Sequence, residues 1–211
     1  MGAYSFRLAA VVLAAGAGSR YSLQPGVKLL ADLDGQPLLA HVLEAVRTYG
    51  PAATVVVLGH GAAEIERGIR WRGGEMRVIN PAPERGLASS LGIGIRTLGS
   101  LPQPPDGAFI VLGDQPRLQP AVMRALAEAA TREARQGRPL IVPRYTDEPG
   151  PRNPVLLMKS AWGWVDDLDG DRGLATLIDS RPGSVLDVPV AGVMPDVDEA
   201  GDLARLRTRP G

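Results

Sequence analysis

Three short stretches of this chain bring together residues able to handle phosphate and a hard cation. Leu13-Ala14-Ala15-Gly16-Ala17-Gly18-Ser19-Arg20 leaves an apolar run and turns through small residues. Such a turn lets the backbone N–H groups of Ala14–Gly18 approach phosphate oxygens, and small side chains leave room for a base alongside. Arg20 and then Lys28 add cationic groups to a loop that otherwise offers only amides. Further along, Ile110-Val111-Leu112-Gly113-Asp114-Gln115-Pro116 delivers a carboxylate at the end of an apolar stretch, and Gln-Pro breaks the chain immediately after. An Asp so placed suits Mg²⁺, which keeps waters and binds through one or two carboxylates plus substrate phosphates. Between these stretches, Asn80–Leu91 reads as a loop entering a helix, where Ser89 or Ser90 caps the helix and its start receives an anionic group.

Spelling excludes some rivals. The dinucleotide fingerprint needs Gly or Ala where Tyr21 stands, and the Gly-Lys-Ser/Thr of a P-loop is absent. A hydrolase elbow needs a glycine where Ala88 stands. Composition excludes more. With Cys 0 and only His41 and His60, disulfides, thiolate catalysis and cysteine-based metal sites are ruled out, and a zinc site would need carboxylates for most of its ligands. Neither histidine sits in a partner pattern, so both read as structural. Lys+Arg 23 against Asp+Glu 23 leaves no basic excess of the kind a nucleic-acid or membrane-surface binder carries.

Hydrophobic residues at 45% and charged residues at 22% are ordinary for a globular chain, and 211 residues fit one domain. The run Leu8–Ala15 behind Arg7 has some features of a secretory leader, but it reads better as a buried strand entering a glycine turn. No stretch approaches the ~18 apolar residues of a spanning helix, so the expectation is a soluble, cytoplasmic protein.

The elements that must position these groups follow from periodicity. Strands are predicted at Leu8–Leu13, Ala53–Leu58, Met76–Ile79, Ala108–Leu112, Leu140–Val142, Val155–Met158 and Val185–Val190. The first, second and fourth are nearly continuous apolar runs, the pattern of strands covered on both faces of a parallel sheet. Helices are predicted at Pro37–Tyr49, Ala62–Arg70, Ser89–Leu98, Pro120–Arg135, Lys159–Leu168, Gly173–Asp179 and Glu199–Arg207. The alternation predicts an α/β fold, a three-layer α/β/α sandwich with a mostly parallel, Rossmann-like sheet. In such sheets ligands bind outside the carboxyl ends of the strands, which is where the three stretches fall.

Leu-Ala-Ala-Gly-x-Gly-x-Arg followed by Lys28-Leu29-Leu30, with Gly35-Gln36-Pro37-Leu38-Leu39, Gly-x-x-x-Ser-Leu-x-x-Gly and Leu112-Gly113-Asp114-Gln115-Pro116, resembles the nucleotidyltransferases of the molybdenum cofactor family. The resemblance implies a nucleotidyltransferase sheet in a single domain 1–211. Its nucleotide-binding half is about 1–115 and its acceptor-binding half about 116–211. Arg20, Lys28 and Asp114 are the implied catalytic residues. Leu13, Ala14, Ala15, Gly16, Ala17, Gly18, Ser89 and Ser90 are the implied nucleotide-binding residues. Segments similar to the family's acceptor elements, Gly150–Leu157 and Gly170-Asp171-Arg172-Gly173, imply acceptor contacts from Arg152, Asp171 and Arg172. Asp196-Val197-Asp198 resembles a further element, implying Asp198 as a second Mg²⁺ ligand beside Asp114.

The implied reaction is attack by a phosphate of the acceptor on the α-phosphorus of a nucleoside triphosphate. Leu-Ala-Ala-Gly matches the cytidylyl branch, favouring CTP, with a molybdopterin-type acceptor and a molybdenum hydroxylase as eventual recipient. Guanylyl transfer, another phosphorylated acceptor, and a carrier or insertion chaperone are the alternatives. The chain departs from the family in the long loop Ser22–Val27, at Leu174-Ala175, where an Arg is expected, and at Glu199-Ala200-Gly201. All of this requires Asp114 to face the turn at Gly16.

Overall fold

The computed structural model describes residues 6–17, 27–133, 137–147, 151–195, 197 and 200–208. Leu8–Ala14 forms β1, buried at every position. It lies between β4 (Thr54–Leu58) and β6 (Gly107–Leu112), parallel to both, and β5 (Glu75–Ile79) pairs parallel with β4. Two further strands, β7 (Leu140–Tyr145) and β9 (Val185–Val190), pair parallel with each other, and β8 (Val155–Met158) runs antiparallel between β6 and β7. The seven-stranded order is β5-β4-β1-β6-β8-β7-β9. The chain goes one way from β1 to β4 and the other way to β6, so a crevice opens between the carboxyl ends of β1 and β6.

The alternation of side chains along β1 divides the core. Leu8, Ala10, Val12 and Ala14 pack under α2 (Leu38–Tyr49) and α5 (Pro120–Glu133). Ala9, Val11 and Leu13 face α4 (Leu87–Gly99) and α6 (Gly173–Ser180) on the opposite side. The architecture is thus the three-layer sandwich the periodicity predicts, with a mostly parallel sheet. All seven expected strands are present; β7 continues past Val142 because β9 accompanies it to Tyr145. The apolar run that shares features with a leader is β1, an interior strand of the sheet. Among the described residues no helix is long and apolar enough to cross a membrane.

The expected helix at Lys159–Leu168 is a 3-10 run, Lys159–Asp167, burying Ala161, Trp162 and Val165. Periodicity also passes over a short helix α1 (Val27–Leu30) and a hairpin of β2 (Asp32–Leu33) and β3 (Gln36–Pro37). The hairpin turns at Asp34 and Gly35, both with positive φ (54° and 82°), the geometry that Asp-Gly favours. His41 Nε2 lies 2.7 Å from Leu33 O and fastens the hairpin to α2, a structural role as expected. The remaining helices are α3 (Ala62–Gly68) and α7 (Ala200–Thr208).

α4 approaches β1 closely at Gly94. A Cβ there would lie 2.4 Å from Val11 Cγ1 and 3.3 Å from Val57 Cγ2. Ala normally gains about 1 kcal/mol over Gly inside a helix, but overpacking a rigid core costs about 1–3 kcal/mol. Val11 is β-branched and fully buried in an interior strand, so the clash dominates. Gly94→Ala is expected to lower the thermal midpoint by a few degrees, whereas Gly201→Ala, with open space at its Cβ, leaves it unchanged or higher. Thermal unfolding of the two variants, followed by circular dichroism, checks the contrast.

Candidate active site

At the carboxyl ends of β1 and β6 lies a cavity of about 390 Å³. Leu13, Ala14, Ala15, Gly16 and Ala17 form one wall, and Leu112 and Asp114 follow from β6. Gly86, Leu87 and Ser90 from the start of α4, Lys28 from α1, and Asp171 complete most of the lining. Asp114 and Gly16 therefore face the same space, as the sequence reading requires. A Cβ on Gly16 would meet nothing within 4 Å, so the turn leaves room at the wall for a ligand to come close to the backbone.

The turn is held by its neighbours. The Gly113 amide donates to Leu13 O at 2.9 Å, keeping β1 and β6 in step up to the cavity edge. Ala15 O accepts from the His60 amide at 3.2 Å, and His60 Nδ1 lies 3.3 Å from the same oxygen. Gly59 makes this approach feasible: a Cβ there would sit 2.8 Å from Ala15 Cβ, from Ala15 O and from Pro83 Cβ. His60 also lines the cavity while holding Ala15, a structural contact at the site's edge. Its position directly after β4, at a strand's carboxyl end, is the signal that finds it.

Lys28 Nζ donates to Asp114 Oδ2 at 2.7 Å, with 10% of the lysine side chain and 27% of the aspartate side chain exposed. The pair places a cation and an anion side by side at the cavity surface. That arrangement can serve a triphosphate and its counter-ion together. Among the described residues no group of three or more His, Cys, Asp or Glu side chains could hold a metal. A lone carboxylate of this kind is a hard oxygen ligand of the type that Mg²⁺ takes together with phosphates and water. The Val197 amide donates to Asp114 O at 3.4 Å, and Val197 is buried with Leu33, Leu38, Leu203 and Leu206. The residue preceding Asp198 is thus tied to the Asp114 backbone. Gly18, Arg20 and Asp198 themselves lie outside the described residues.

The serines differ from expectation. α4 begins at Leu87, so Ser89 and Ser90 stand within its first turn and Gly86 occupies the cap position. Their organiser is Asn80, 3% exposed, which sequence reasoning did not single out. Its Nδ2 donates to Ser89 Oγ at 2.8 Å and Ser90 Oγ at 2.9 Å, while its Oδ1 accepts from the Ala82 amide at 3.0 Å. The Ala82 bond fixes which end of the amide carries oxygen, and Asn80-Pro81-Ala82 is the sequence signature of such an Asx turn. Ser89 Oγ then donates to Gly86 O at 2.9 Å. Ser90 accepts from Asn80 and lines the cavity, and a hydroxyl that accepts one bond can still donate another. Ser89 is not part of the lining.

Of the expected acceptor residues, Asp171 reaches the cavity. Arg152 does not line it and pairs instead with Asp187 on β9. The segment carrying Arg152 is fastened by Tyr145, whose phenol donates to Asn153 O at 2.8 Å and is pushed well above its usual pKa by burial. Arg172 stands beside Asp171 in the 3-10 turn Gly170–Arg172.

Comparison with known proteins matches this geometry to a family. The structure of Rv0371c from Mycobacterium tuberculosis superposes with a TM-score of 0.82 and 28% identity, covering 98% of this chain and 100% of that one. The same protein in complex with manganese gives 0.77 and 25%, covering 98% and 100%. A nucleotidyl transferase from Methanothermobacter gives 0.76 and 25%, covering 96% of each chain. Among curated proteins, the bifunctional protein GlmU of Burkholderia thailandensis is 38% identical over 133 residues, 60% of this chain. This chain spans about a quarter of that relative's length, 26%. Residues 10–185 match the family model described as the MobA-like NTP transferase domain, and the chain belongs to that family.

Proposed function

We propose that the protein is a Mg²⁺-dependent cytidylyltransferase that moves CMP from CTP to the phosphate of a molybdopterin-type acceptor, releasing pyrophosphate. An oxygen of the acceptor phosphate attacks the α-phosphorus. The bond from that phosphorus to the oxygen bridging to the β-phosphate breaks, and pyrophosphate leaves with the electron pair. A phosphate nucleophile is already ionised at neutral pH, so the site needs no general base. The observation that carries this reading is the Lys28–Asp114 pair facing the small-residue turn across one cavity.

In this reading the amides of Ala14–Gly18 cradle the triphosphate, and Lys28 and Arg20 neutralise its oxygens. Asp114, with Asp198 as second carboxylate, holds the Mg²⁺. The metal supplies charge neutralisation at the α-phosphate and the leaving group. A structural relative in complex with manganese supports a divalent cation here. Ser90 donates toward an acceptor atom of the nucleoside, and Ala15, at the position that distinguishes the family's branches, favours cytosine. The chain works as one domain: residues to about 115 hold the nucleotide and the remainder holds the acceptor, with Arg172 and Arg152 as its candidate phosphate contacts. The setting is the cytoplasm, and a molybdenum hydroxylase is the recipient of the product.

The test is pyrophosphate release with molybdopterin supplied, comparing CTP with GTP. Release with CTP well above that with GTP supports the proposal. Preference for GTP moves the protein to guanylyl transfer. Binding of the finished cofactor without release from either nucleotide identifies a carrier.

A further inference from the structure

We infer that Asp171 is a positioning residue for the nucleotide side of the cavity, holding the start of α4 from the acceptor half of the chain. The inference rests on the nucleotide reading above and assigns Asp171 a different task from acceptor contact.

α4 has no cap of its own, because Gly86 offers no side chain. Its first amide, that of Leu87, donates instead to Asp171 Oδ1 at 3.3 Å. The carboxylate thus fills the capping role across a long stretch of sequence and lies at the positive end of the helix. The strap carrying it has a local turn of its own and is anchored by the helix that follows. Asp169 Oδ1 accepts from the Gly170 amide at 2.9 Å, and α6 buries Leu174 and Leu177 directly behind.

Strap and helix are shaped to each other. A Cβ on Gly86, whose φ is 86°, would lie 2.4 Å from Gly170 C and 2.6 Å from Gly170 O. A Cβ on Gly173 would lie 2.6 Å from Leu87 Cδ2. The two segments therefore approach through glycine on each side, with the Asp171 bond between them. Gly86, Leu87, Ser90 and Asp171 all face the cavity, so whatever sets the first turn of α4 sets the aim of the Ser90 hydroxyl. Without the carboxylate the turn frays, and nucleotide affinity falls even when no acceptor is present. An aspartate that only touched the acceptor would leave nucleotide affinity intact.

The experiment compares wild type, Asp171→Ala and Asp171→Asn in titration calorimetry with CTP and Mg²⁺, without acceptor. Hydrogen exchange at the amides of Leu87–Ser90 is followed in parallel. Asp171→Ala is expected to weaken CTP about five-fold and to speed exchange at those amides. Asn caps as well as Asp, so Asp171→Asn is expected to stay within about two-fold of wild type in both measurements. Unchanged CTP affinity in Asp171→Ala, with a rise confined to the acceptor KM, overturns the inference in favour of acceptor contact. Equal losses in both variants overturn the capping account. Faster exchange in Asp171→Ala, with no CTP binding by wild type, supports the helix-start role and overturns the nucleotide reading instead.

Discussion

Asp114→Asn is expected to lower turnover about 10³-fold, the equivalent of roughly 4 kcal/mol of transition-state stabilisation, while the chain keeps its fold. The amide retains the shape of the carboxylate and still accepts from Lys28 Nζ, now 2.7 Å from Oδ2. What it loses is the negative charge that the proposed role uses to hold a hard cation beside the phosphates. The change removes the carboxylate charge facing Lys28, whose side chain is only 10% exposed, so some loss of stability is expected alongside the loss of turnover. Pyrophosphate release measured at saturating nucleotide, with the circular dichroism spectrum as the fold control, checks the prediction. Turnover above about a tenth of wild type removes Asp114 from its assigned role.

The second large effect is expected at Asn80. Asn80→Ala deletes three hydrogen bonds from a buried position, each contributing about 1 kcal/mol, for a loss of about 3 kcal/mol. For a chain of this size that corresponds to a drop of roughly 6–12 °C in the thermal midpoint. Asn80→Asp separates stability from recognition. The carboxylate still accepts from the Ala82 amide but cannot donate, so Ser89 and Ser90 must turn their hydroxyl protons toward it. Ser90 then has no proton for the cavity. Nucleotide affinity is expected to fall about ten-fold in Asn80→Asp, by calorimetry with CTP and Mg²⁺, even where the thermal loss is smaller than in Asn80→Ala. An Asn80→Asp protein that binds CTP like wild type would show that Ser90 does not donate to the nucleotide.

Much of this architecture was legible beforehand because its signals are local and strong. The continuous apolar runs at Leu8–Ala14 and Gly107–Leu112 name strands covered on both faces, and the small-residue turn and Gly113-Asp114 name what sits at their ends. The direction of β8 was not legible, since a four-residue apolar strand reads the same either way. Nor were the two serine partners of Asn80, which lie across a loop in the next helix, nor the contact of His60 with Ala15 O. Ser90 lines the cavity and Ser89 does not, and neither caps the helix. They match a cap by residue type, yet the helix starts earlier at Leu87, with its cap supplied from Asp171. Arg152 shows the converse limit: a cation in a suggestive segment is taken up by Asp187, and only tertiary structure reveals that pairing.

The antiparallel β8 also governs how the chain must be assembled as it leaves the ribosome. β1, β4, β5 and β6 can pair as soon as Leu112 has emerged, but the outer edge of β6 waits for β8, which is synthesised after α5 and β7. During that interval an apolar strand shows unpaired amides and carbonyls to the solvent, an open template for a neighbouring nascent chain. Fragments ending between Leu112 and Val155 keep that edge open permanently, which makes aggregation rather than simple unfolding their characteristic failure.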